Sequence, residues 1–371
     1  MRAVIVSHTY ANPDARGKLR ALVGQGASLA VAVPARWTPP GGATDVVTTF
    51  ADDSGVRIVP MRTRGRDDAG APVAWHAGAL RRLLTDFRPD IIQVEEAPTS
   101  RVAPSVTRMA RRLGIPVVAF TNDSLARKHP LLARMRRTSA LAGASGIIGG
   151  TSLAAGLVRQ EFPSLPSAVI PQLGIPVPRA VPLSSHSPLA IGFVGRLVPE
   201  KGLDVLLRAC VKLYGAWTVT IAGSGPAQEE LEALAERLGV ASRVTWLGAI
   251  SRADLAAVWP RLDCLVVPSR TTAHWVETYP IQVLEAMGNG VAVVTSDSGA
   301  LRETTAGTGL VFREDHADGL TEALTRLMGD AELRGRLGAD GRRRVIEEYA
   351  DDPIARKTLA FWRDVRAKKS A

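Results

Sequence analysis

Short runs of apolar residues alternate with longer amphipathic segments along most of the chain. In the first half, the runs that predict buried strands are residues 2–6, 28–34, 90–96, 116–122, 146–152 and 167–172. Segments between them, such as 15–26, 76–87 and 105–114, carry apolar residues at helical spacing instead. Alternating strands and helices of this kind predict an α/β fold with a parallel sheet that is covered on both faces.

The same alternation returns after residues 174–188, a stretch that is rich in Pro and Ser and has no periodicity. Beyond it, the predicted strands are residues 189–195, 217–223, 243–248, 264–269 and 291–297. We place a domain boundary in the aperiodic stretch, because exposed Pro-rich segments usually separate domains. The predicted organisation is a first α/β domain at 1–178, a linker at 179–188, a second α/β domain at 189–350 and an amphipathic helix at 351–371.

Length and composition agree with two packed interiors. The chain has 371 residues, of which 46% are hydrophobic, and this is more than one ordinary core accommodates. Its two cysteines, Cys210 and Cys264, lie in apolar contexts and form no CxxC pair, which predicts a reducing, cytoplasmic setting without disulfides or a zinc site. The first ten residues are too short an apolar run for a secretory signal, and no stretch reaches the roughly 20 apolar residues of a membrane span.

Positive charge is concentrated in the first half of the chain. The net charge is +10, and residues 1–185 hold 23 Lys and Arg against 12 Asp and Glu. The densest basic run, which includes only one acidic residue, consists of Arg101, Arg108, Arg111, Arg112, Arg127, Lys128, Arg134, Arg136 and Arg137. Such a field attracts nucleic acid, anionic lipid or phosphorylated metabolites, or is simply a solvated face. No nucleic-acid-binding motif accompanies the run, and it lacks interleaved aromatic residues, which argues against nucleic acid.

Loops that follow the strands are the places where ligands bind in open α/β sheets. The loop after residues 189–195 carries Arg196 and Lys201 and leads into a helix at Gly202. Two cations at the positive end of a helix suit a diphosphate, although the same residues also fit ordinary loop charges. Gly223 and Gly225 follow the next strand, where they allow a ligand to approach the backbone or simply form a turn.

The segment WVETYPIQVLEAMGNG, residues 275–290, contains two glutamates eight positions apart. Pro280 suits the first turn of a helix, so Glu277 falls in the preceding loop and Glu285 falls within the helix. The neighbours of Glu285 are apolar, and a carboxylate in such surroundings is costly unless a partner satisfies it. Ligand hydroxyls would do so, and so would a backbone group or an arginine.

Residues 195–303, which contain GRLVPEKG, AGSGP and the two glutamates in that order, resemble the donor half of the family-4 retaining glycosyltransferases. The glutamates have the spacing of that family's E-x7-E motif, and the resemblance extends more loosely over the whole chain. It implies the GT-B fold, in which two doubly wound Rossmann-like domains face each other across a cleft and the last helix returns to the first domain. It also implies a nucleotide-diphosphate sugar as co-substrate, and no cofactor or bound metal.

The resemblance further implies roles for particular residues. In the family, the second glutamate, here Glu285, holds the donor ribose, and the first, here Glu277, faces the transferred sugar. The cations Arg196 and Lys201 would neutralise the diphosphate leaving group. The remaining donor-side candidates are the glycines Gly223 and Gly225, the backbone of Thr278, Tyr279 and Pro280, and Gly17 and Lys18 near a phosphate.

The first domain departs from the family pattern at two places. The loop after the first strand has one glycine, Gly17, where many relatives have two, and residues 121–123 replace a histidine at the end of a strand. We expect Asn122 to line the sugar site in place of that histidine. Acceptor-side candidates are His8, His129, Glu95 and Glu96, each equally explained as a structural residue. The acidic pairs at 52–53, 67–68 and 351–352 are expected to be solvated loops rather than metal ligands.

The predicted partners are a nucleotide-sugar donor and a glycan, polysaccharide-precursor or lipid-linked acceptor. The basic first half also predicts peripheral contact with an anionic membrane on its cytoplasmic face, and no nucleic acid. Two enzyme alternatives with the same fold stay open at this point, a nucleotide-sugar epimerase and a phosphorylase. Product analysis distinguishes them, because epimerisation needs no acceptor and phosphorolysis needs phosphate.

Overall fold

The computed structural model describes residues 1–38, 45–66, 72–126, 129–179, 181 and 186–370. It divides the chain into two compact units, Met1–Gly174 with Asp351–Ala371, and Ile175–Ala350. The second unit therefore starts earlier than the sequence analysis placed it. Ile175 donates its backbone N–H to the Tyr349 carbonyl at 2.9 Å, and its side chain is buried in the core of the second unit. Residues 180 and 182–185 of the predicted linker lie outside the described residues.

The first unit is built on an eight-stranded sheet. Its strands and those of two small hairpins are β1 (Arg2–Val6), β2 (Ser28–Pro34), β3 (Arg36–Trp37), β4 (Val46–Val47), β5 (Ala51–Asp53), β6 (Val56–Met61), β7 (Thr63–Arg66), β8 (Pro72–Trp75), β9 (Ile91–Val94), β10 (Val117–Thr121), β11 (Gly146–Gly149) and β12 (Ser167–Val169). The sheet order is β12-β11-β10-β9-β1-β2-β6-β5, and only β5 runs antiparallel to its neighbour. The order reverses between β1 and β9, and such a reversal opens a crevice beyond the strand ends.

Helices connect these strands and cover the sheet. They are α1 (Gly17–Gly24), α2 (Ala77–Phe87), α3 (Val102–Arg112), α4 (Leu131–Ala142) and α5 (Ser152–Glu161). The strands of the sheet centre are buried over almost their whole length, because side chains on both faces pack against helices. This explains why β1, β2 and β9 are continuous apolar runs rather than alternating ones.

The second unit has a six-stranded, entirely parallel sheet. Its elements are β13 (Leu189–Val194), α6 (Leu203–Val211), β14 (Trp217–Ala222), α7 (Gln228–Arg237), β15 (Val244–Gly248), α8 (Arg252–Val258), β16 (Cys264–Val267), α9 (Ile281–Gly288), β17 (Ala292–Ser296), α10 (Leu301–Thr305), β18 (Leu310–Phe312), α11 (Ala317–Gly329), α12 (Ala331–Arg344) and a π-helical turn (Val345–Tyr349). The order β15-β14-β13-β16-β17-β18 reverses between β13 and β16. This is the doubly wound Rossmann order, so the α/β prediction is confirmed in both units.

The last helix, α13 (Asp351–Ser370), completes the first unit. Trp362 is fully buried there, and its indole Nε1 donates to Gln93 Oε1 at 2.7 Å. Ile354 and Leu359 pack into the same core as β1 and β2. Residues from the two ends of the chain therefore share one interior.

Both cysteines are buried and unpaired with each other. Burial raises the pKa of the Cys210 thiol to about 12. Burial, and then the charge of Asp263, raises the pKa of Cys264 as well. Both side chains therefore behave as small apolar residues in the core of the second unit.

Candidate active site

The predicted cations follow β13, next to the reversal point of the second sheet. Lys201 ends a single 3-10 turn, Pro199–Lys201, and Gly202 then leads into α6. Gly202 has a φ of +66°, and a Cβ atom there would lie 2.0 Å from the Pro268 carbonyl oxygen. Only glycine allows the loops after β13 and β16 to come so close, and this contact places Lys201 beside the loop that follows β16.

Lys201 and Glu277 form the central ion pair of this site. Lys201 Nζ lies 2.6 Å from Glu277 Oε2, and Ser269 Oγ donates to the same oxygen at 2.9 Å. The ammonium also lies 5.0 Å from the centroid of the Trp275 ring. Glu277 is only 5% exposed, so its charge depends on these few partners.

The loop that carries Glu277 is held from both sides. Ala300 donates its backbone N–H to the Glu277 carbonyl at 2.8 Å. On the other side, Pro280 caps α9, and Ile281 donates its N–H to the Tyr279 carbonyl at 2.9 Å. Thr278, Tyr279 and Pro280 therefore form the tight connection between Glu277 and the helix, and their contact with a donor sugar stays a prediction.

Glu285 has a different partner. Its Oε1 accepts a hydrogen bond from Arg252 Nη2 at 2.5 Å, at the start of α8. The Glu285 side chain is 12% exposed and that of Arg252 is 48% exposed. The sequence left ligand hydroxyls, a backbone group or an arginine as possible partners of Glu285. In the structure, an arginine pairs with one of its two carboxylate oxygens. Glu285 Oε2 has no hydrogen-bond partner in the part of the chain that the structure describes.

Gly223 and Gly225 are explained by contact between loops. A Cβ atom on Gly223 would lie 1.8 Å from the Gly195 carbonyl oxygen, and one on Gly225 would lie 2.3 Å from the Leu197 carbonyl oxygen. The loop after β14 therefore packs directly on the loop that contains Arg196. Their predicted contact with a ligand stays a prediction, but their effect on the position of the Arg196 backbone is direct.

Arg196 is exposed and differs in this respect from Lys201. Its guanidinium makes no hydrogen bond or ion pair with any residue that the structure describes. An exposed cation that lies in the same loop as Lys201 and has no counter-ion among the described residues is suited to bind an anion from solution.

Three residues of this site were missed by sequence reasoning. Ser269, Trp275 and Arg252 follow the strands β16 and β15. Their positions after strand ends were visible in the sequence, and the rule that ligands bind there would have indicated them. Their actual partners depend on how the loops fold.

The two donor-side candidates in the first unit have structural explanations. A Cβ atom on Gly17 would lie 2.1 Å from the Asp351 carboxylate, so a larger residue where α1 meets α13 would require that side chain to move. Lys18 is 1% exposed, and its Nζ lies 3.0 Å from Glu95 Oε1. Its ammonium is already paired in the interior, and its predicted contact with a donor phosphate stays a prediction.

Two of the acidic pairs, at 52–53 and 351–352, make contacts that a solvated loop would not make. Asp53, in β5, is paired with Arg16 and Arg20, and the hydrogen bond from Arg20 lowers the pKa of its carboxyl group. Asp351 packs against Gly17 at the start of α13. Residues 67–68 lie outside the described residues. Within the described ranges, no cluster of three or more His, Cys, Asp or Glu side chains has an arrangement that could hold a metal ion.

Asn122 lines a pocket of about 260 Å³ in the first unit. The pocket lies at the carboxyl ends of β1, β9 and β10, and His8 is among its other lining residues. His8 Nδ1 lies 3.0 Å from both carboxylate oxygens of Glu96. His129 lines another pocket, of about 720 Å³, beside α4. The structure thus separates the two histidine candidates.

Two family models match the chain in succession. The model of a glycosyl transferase 4-like domain matches residues 11–172, and that of glycosyl transferases group 1 matches residues 178–344. The chain belongs to the family-4 glycosyltransferases. This family assignment confirms the resemblance seen in the sequence.

Relatives of this family-4 chain include a GDP-mannose-dependent alpha-(1-6)-phosphatidylinositol monomannoside mannosyltransferase of Mycobacterium tuberculosis. It is 35% identical over 178 residues, which cover 46% of this chain and 46% of the relative. The lipopolysaccharide core biosynthesis mannosyltransferase LpcC of Rhizobium leguminosarum bv. viciae is 31% identical over 170 residues, 43% of this chain and 46% of the relative. The match thus spans less than half the length of these relatives.

Solved structures confirm the GT-B fold. Sucrose-phosphate synthase from Thermosynechococcus elongatus superimposes with a TM-score of 0.70 at 18% identity, over 99% of this chain and 100% of that one. HepE of Anabaena, in complex with UDP, superimposes with a TM-score of 0.71 at 17% identity, over 98% and 100%. Because the sequence identities are only 17–18%, these similarities are evidence for the fold of this chain alone.

Proposed function

We propose that this family-4 glycosyltransferase moves a sugar from a nucleotide-diphosphate sugar to a hydroxyl group of a glycan or lipid-linked acceptor. The observation that carries the proposal is the Lys201–Glu277 pair at the reversal point of the second sheet, with the uncompensated Arg196 in the same loop. Both relatives described above are mannosyltransferases by name, and the M. tuberculosis one is GDP-mannose-dependent, which supports a nucleotide-sugar donor.

The two cations would act on the leaving group. When the bond between the sugar and the diphosphate breaks, negative charge develops on the phosphate oxygen. Arg196 and Lys201 would stabilise that charge by fixed, charge-assisted hydrogen bonds, which need little rearrangement during reaction. Glu277, which itself accepts a hydrogen bond from Ser269, would hold the Lys201 ammonium in place until the diphosphate shares it.

We propose that the reaction proceeds with retention and without a bound metal, as the family resemblance implies. The acceptor hydroxyl would form its bond to the sugar on the face that the diphosphate leaves, and its proton would pass to the departing phosphate oxygen. The two side-chain cations would supply the charge stabilisation in this scheme. Activity that persists in the presence of a chelator, with the anomeric configuration kept in the product, would agree with it.

Glu285 would hold the nucleotide by its ribose. Arg252 occupies Oε1 and fixes the carboxylate, so Oε2 would accept hydrogen bonds from the two ribose hydroxyls. Hydrogen bonds to a charged group contribute about 1.5–3 kcal/mol each. We therefore expect Glu285→Ala, which removes two such hydrogen bonds, to weaken donor binding by about a hundredfold or more.

The test is binding and slow hydrolysis of a panel of UDP-, GDP- and ADP-sugars. Wild-type protein should bind and hydrolyse one of these classes, and Glu285→Ala should lose affinity for that class. Glu236→Ala, which removes an exposed glutamate on α7, is the matched control and should bind the donor normally. Failure of every sugar nucleotide to bind would contradict the proposal. Products that form only when an acceptor is present would separate transfer from epimerisation.

We also propose that the first unit contacts an anionic membrane surface through α4. The first turn of this helix exposes the side chains of Leu131, Leu132 and Met135, which are 60–69% exposed, around the exposed Arg134. The neighbouring helix α3 adds exposed Arg108, Arg111 and Arg112. Of the basic run predicted from the sequence, Arg127 and Lys128 lie outside the described residues. Exposed apolar side chains on a helix next to exposed arginines suit the boundary between headgroups and acyl chains.

Peripheral contact is the membrane interaction that these features support. Among the helices described here, none is both long and apolar enough to cross a membrane. The M. tuberculosis relative is named for a phosphatidylinositol-based acceptor, which supports an acceptor at a membrane surface.

Vesicle sedimentation tests this surface. We expect wild-type protein to bind anionic vesicles, and the double variant Leu131→Glu/Leu132→Glu to bind about tenfold or more weakly, because two apolar contacts are lost and two negative charges are added. Val211→Glu, at a half-exposed valine of α6, is the control for a charge on an exposed apolar position and should leave binding unchanged. Equal sedimentation of the wild type with neutral and anionic vesicles would contradict the proposal.

A further inference from the structure

Arg270, in the loop after β16, is a charged side chain for which the proposed function gives no role. Its side chain is 22% exposed, and each of its three guanidinium nitrogens has a protein partner. Nε donates to Asp315 Oδ1 at 2.7 Å, and Nη2 donates to the two carboxylate oxygens of Asp204 at 3.0 and 3.1 Å. Nη1 donates to the Pro199 carbonyl oxygen at 3.1 Å. A guanidinium that is held at every nitrogen has one fixed orientation, and it fixes its own partners in turn.

The contact with Pro199 connects Arg270 to the predicted cations. Pro199 begins the 3-10 turn that ends at Lys201. Arg270 holds this turn twice, because its backbone N–H also donates to the Glu200 carbonyl oxygen at 2.9 Å. Two hydrogen bonds to successive carbonyl groups of a three-residue turn fix both its position and its direction. The side chain of Lys201 therefore extends from a backbone that Arg270 holds in place.

Two aspartates keep the Arg270 guanidinium aligned with the turn. Asp204 lies in the first turn of α6, just beyond Gly202, and Asp315 follows β18. A bidentate arginine–carboxylate pair gives a defined geometry as well as attraction between charges. The pair with Asp204 thus sets the plane of the guanidinium. A lysine in place of Arg270 could not reproduce these contacts, because its ammonium is a point charge without the planar fork.

The loop that carries Arg270 is itself anchored to its neighbours. Thr271 donates its backbone N–H and its hydroxyl to the two oxygens of Glu314, each at 2.6 Å. The backbone N–H of Glu314 in turn donates to Asp297 Oδ1 at 2.8 Å. The loops after β16, β17 and β18 are therefore joined to one another. Arg270 extends from this joined group of loops to the turn that ends at Lys201.

We propose that Arg270 is a positioning residue for sugar transfer, which holds the turn so that the Lys201 ammonium lies where the diphosphate departs. This inference rests on the proposed function. A cation stabilises developing charge only when it is already in place, and a displacement of about 1 Å can lower the rate by about 10²-fold. Arg270 would act through Lys201 rather than by contact with the donor, because its own nitrogens are already engaged.

Steady-state kinetics of the full chain test the proposal. We expect Arg270→Ala to lower kcat by about tenfold to a hundredfold, and to change donor affinity much less, because the displaced cation matters most in the transition state. Arg270→Lys should restore little of the loss. The variant should fold, since Asp204 and Asp315 are 30% and 60% exposed and water can solvate them.

Arg243→Ala is the matched control. Arg243 is another arginine of the second unit that contacts a backbone carbonyl, since its Nη1 donates to the Gly215 oxygen at 3.3 Å, and its guanidinium lies 4.9 Å from the centroid of the Trp217 ring. Its loss should leave kcat unchanged. Asp204→Asn should lower kcat in the same direction as Arg270→Ala. The double variant should be no slower than Arg270→Ala alone, because both changes disturb one contact.

A second readout follows Lys201 without any donor. The side chain of Lys201 is 15% exposed and paired with Glu277, so acetic anhydride should acetylate it slowly in the wild type. Peptide mass spectrometry gives the rate at each lysine. Arg270→Ala should raise the rate at Lys201 by about tenfold, the effect of losing one charge-assisted hydrogen bond. The rate at Lys212, an exposed lysine of the same unit, should not change.

Three results would overturn the inference. They are a wild-type kcat in Arg270→Ala, an unchanged acetylation rate at Lys201, and an equal loss of kcat and donor affinity with faster acetylation at Lys212 as well, which is the result of a merely structural role. If Arg270→Ala lowers the unfolding temperature, Asp204→Asn decides by the same measurements. A wild type that transfers sugar while Arg270→Ala has no effect refutes this inference alone. Absence of donor binding in the wild type refutes the proposed function.

Discussion

Replacing Arg196 by alanine should lower kcat for sugar transfer by about 10²–10³-fold, the usual effect of removing one fixed group that stabilises developing charge. The guanidinium is exposed and has no partner among the described residues, so its loss disturbs nothing in the unliganded protein. Its effect would therefore be confined to states in which the diphosphate is present. Steady-state kinetics with the donor identified by the binding panel would measure it.

Arg208→Ala is the control for this prediction. Arg208 is an exposed arginine on α6, a few residues beyond the same loop, and its loss should leave kcat unchanged. A wild-type kcat in Arg196→Ala would show that the loop after β13 does not act on the leaving group. Lys201→Ala is a less clear test, because it also leaves the buried Glu277 with Ser269 as its hydrogen-bond partner.

Replacing Lys18 by methionine should lower the free energy of unfolding of the first unit by about 3–5 kcal/mol, because it leaves a buried charge without its partner. The side chains of Lys18 and Glu95 are 1% and 0% exposed, and their charged atoms lie 3.0 Å apart. Without Lys18, the Glu95 carboxylate would keep only hydrogen bonds from neutral groups, Tyr10, Gln93 and Gln172. Urea unfolding of the full chain would measure the loss, with the two units analysed as separate transitions.

Two further variants make this measurement specific. Lys368→Met removes an exposed lysine of α13 and should leave the free energy of unfolding within about 0.5 kcal/mol of the wild type. The double variant Lys18→Met/Glu95→Gln should recover part of the loss, because the unpaired charge is gone as well. If Lys18→Met were as stable as the wild type, the pair would contribute nothing to folding, and Glu95 would not depend on a cation.

The sequence could indicate the fold and the residues of the second unit for a physical reason. Parallel strands buried on both faces leave continuous apolar runs, and the carboxyl ends of such strands converge on one edge of the sheet. Lys201 and Glu277 are 76 positions apart, yet each follows a strand of that sheet, and the structure brings them to 2.6 Å. Pro280 marked the start of α9 to within one residue.

Elements with mixed patterns were missed. Strand β6 lies between two other strands of the sheet. It was missed because Arg57 and Pro60 interrupt its apolar residues. Helix α4 was missed because Leu131, Leu132 and Met135 face solvent and obscure the apolar stripe. The sequence also could not show which charged side chains pair with each other. The contacts of Glu95 with Lys18 and of Glu285 with Arg252 depend on strand order and loop packing.

The discontinuity of the first unit has a consequence for the order of events during synthesis. Residues 175–350 form a contiguous unit with its own core, so this unit can fold as soon as it has left the ribosome. Residues 1–174 emerge earlier, but Trp362 and the apolar face of α13 complete their interior, and those residues are made only after the second unit. Until α13 has been made, part of the core of residues 1–174 stays exposed to solvent. The second unit is therefore the first that can reach its final structure, and the buried network around Glu95 closes only once α13 has been made.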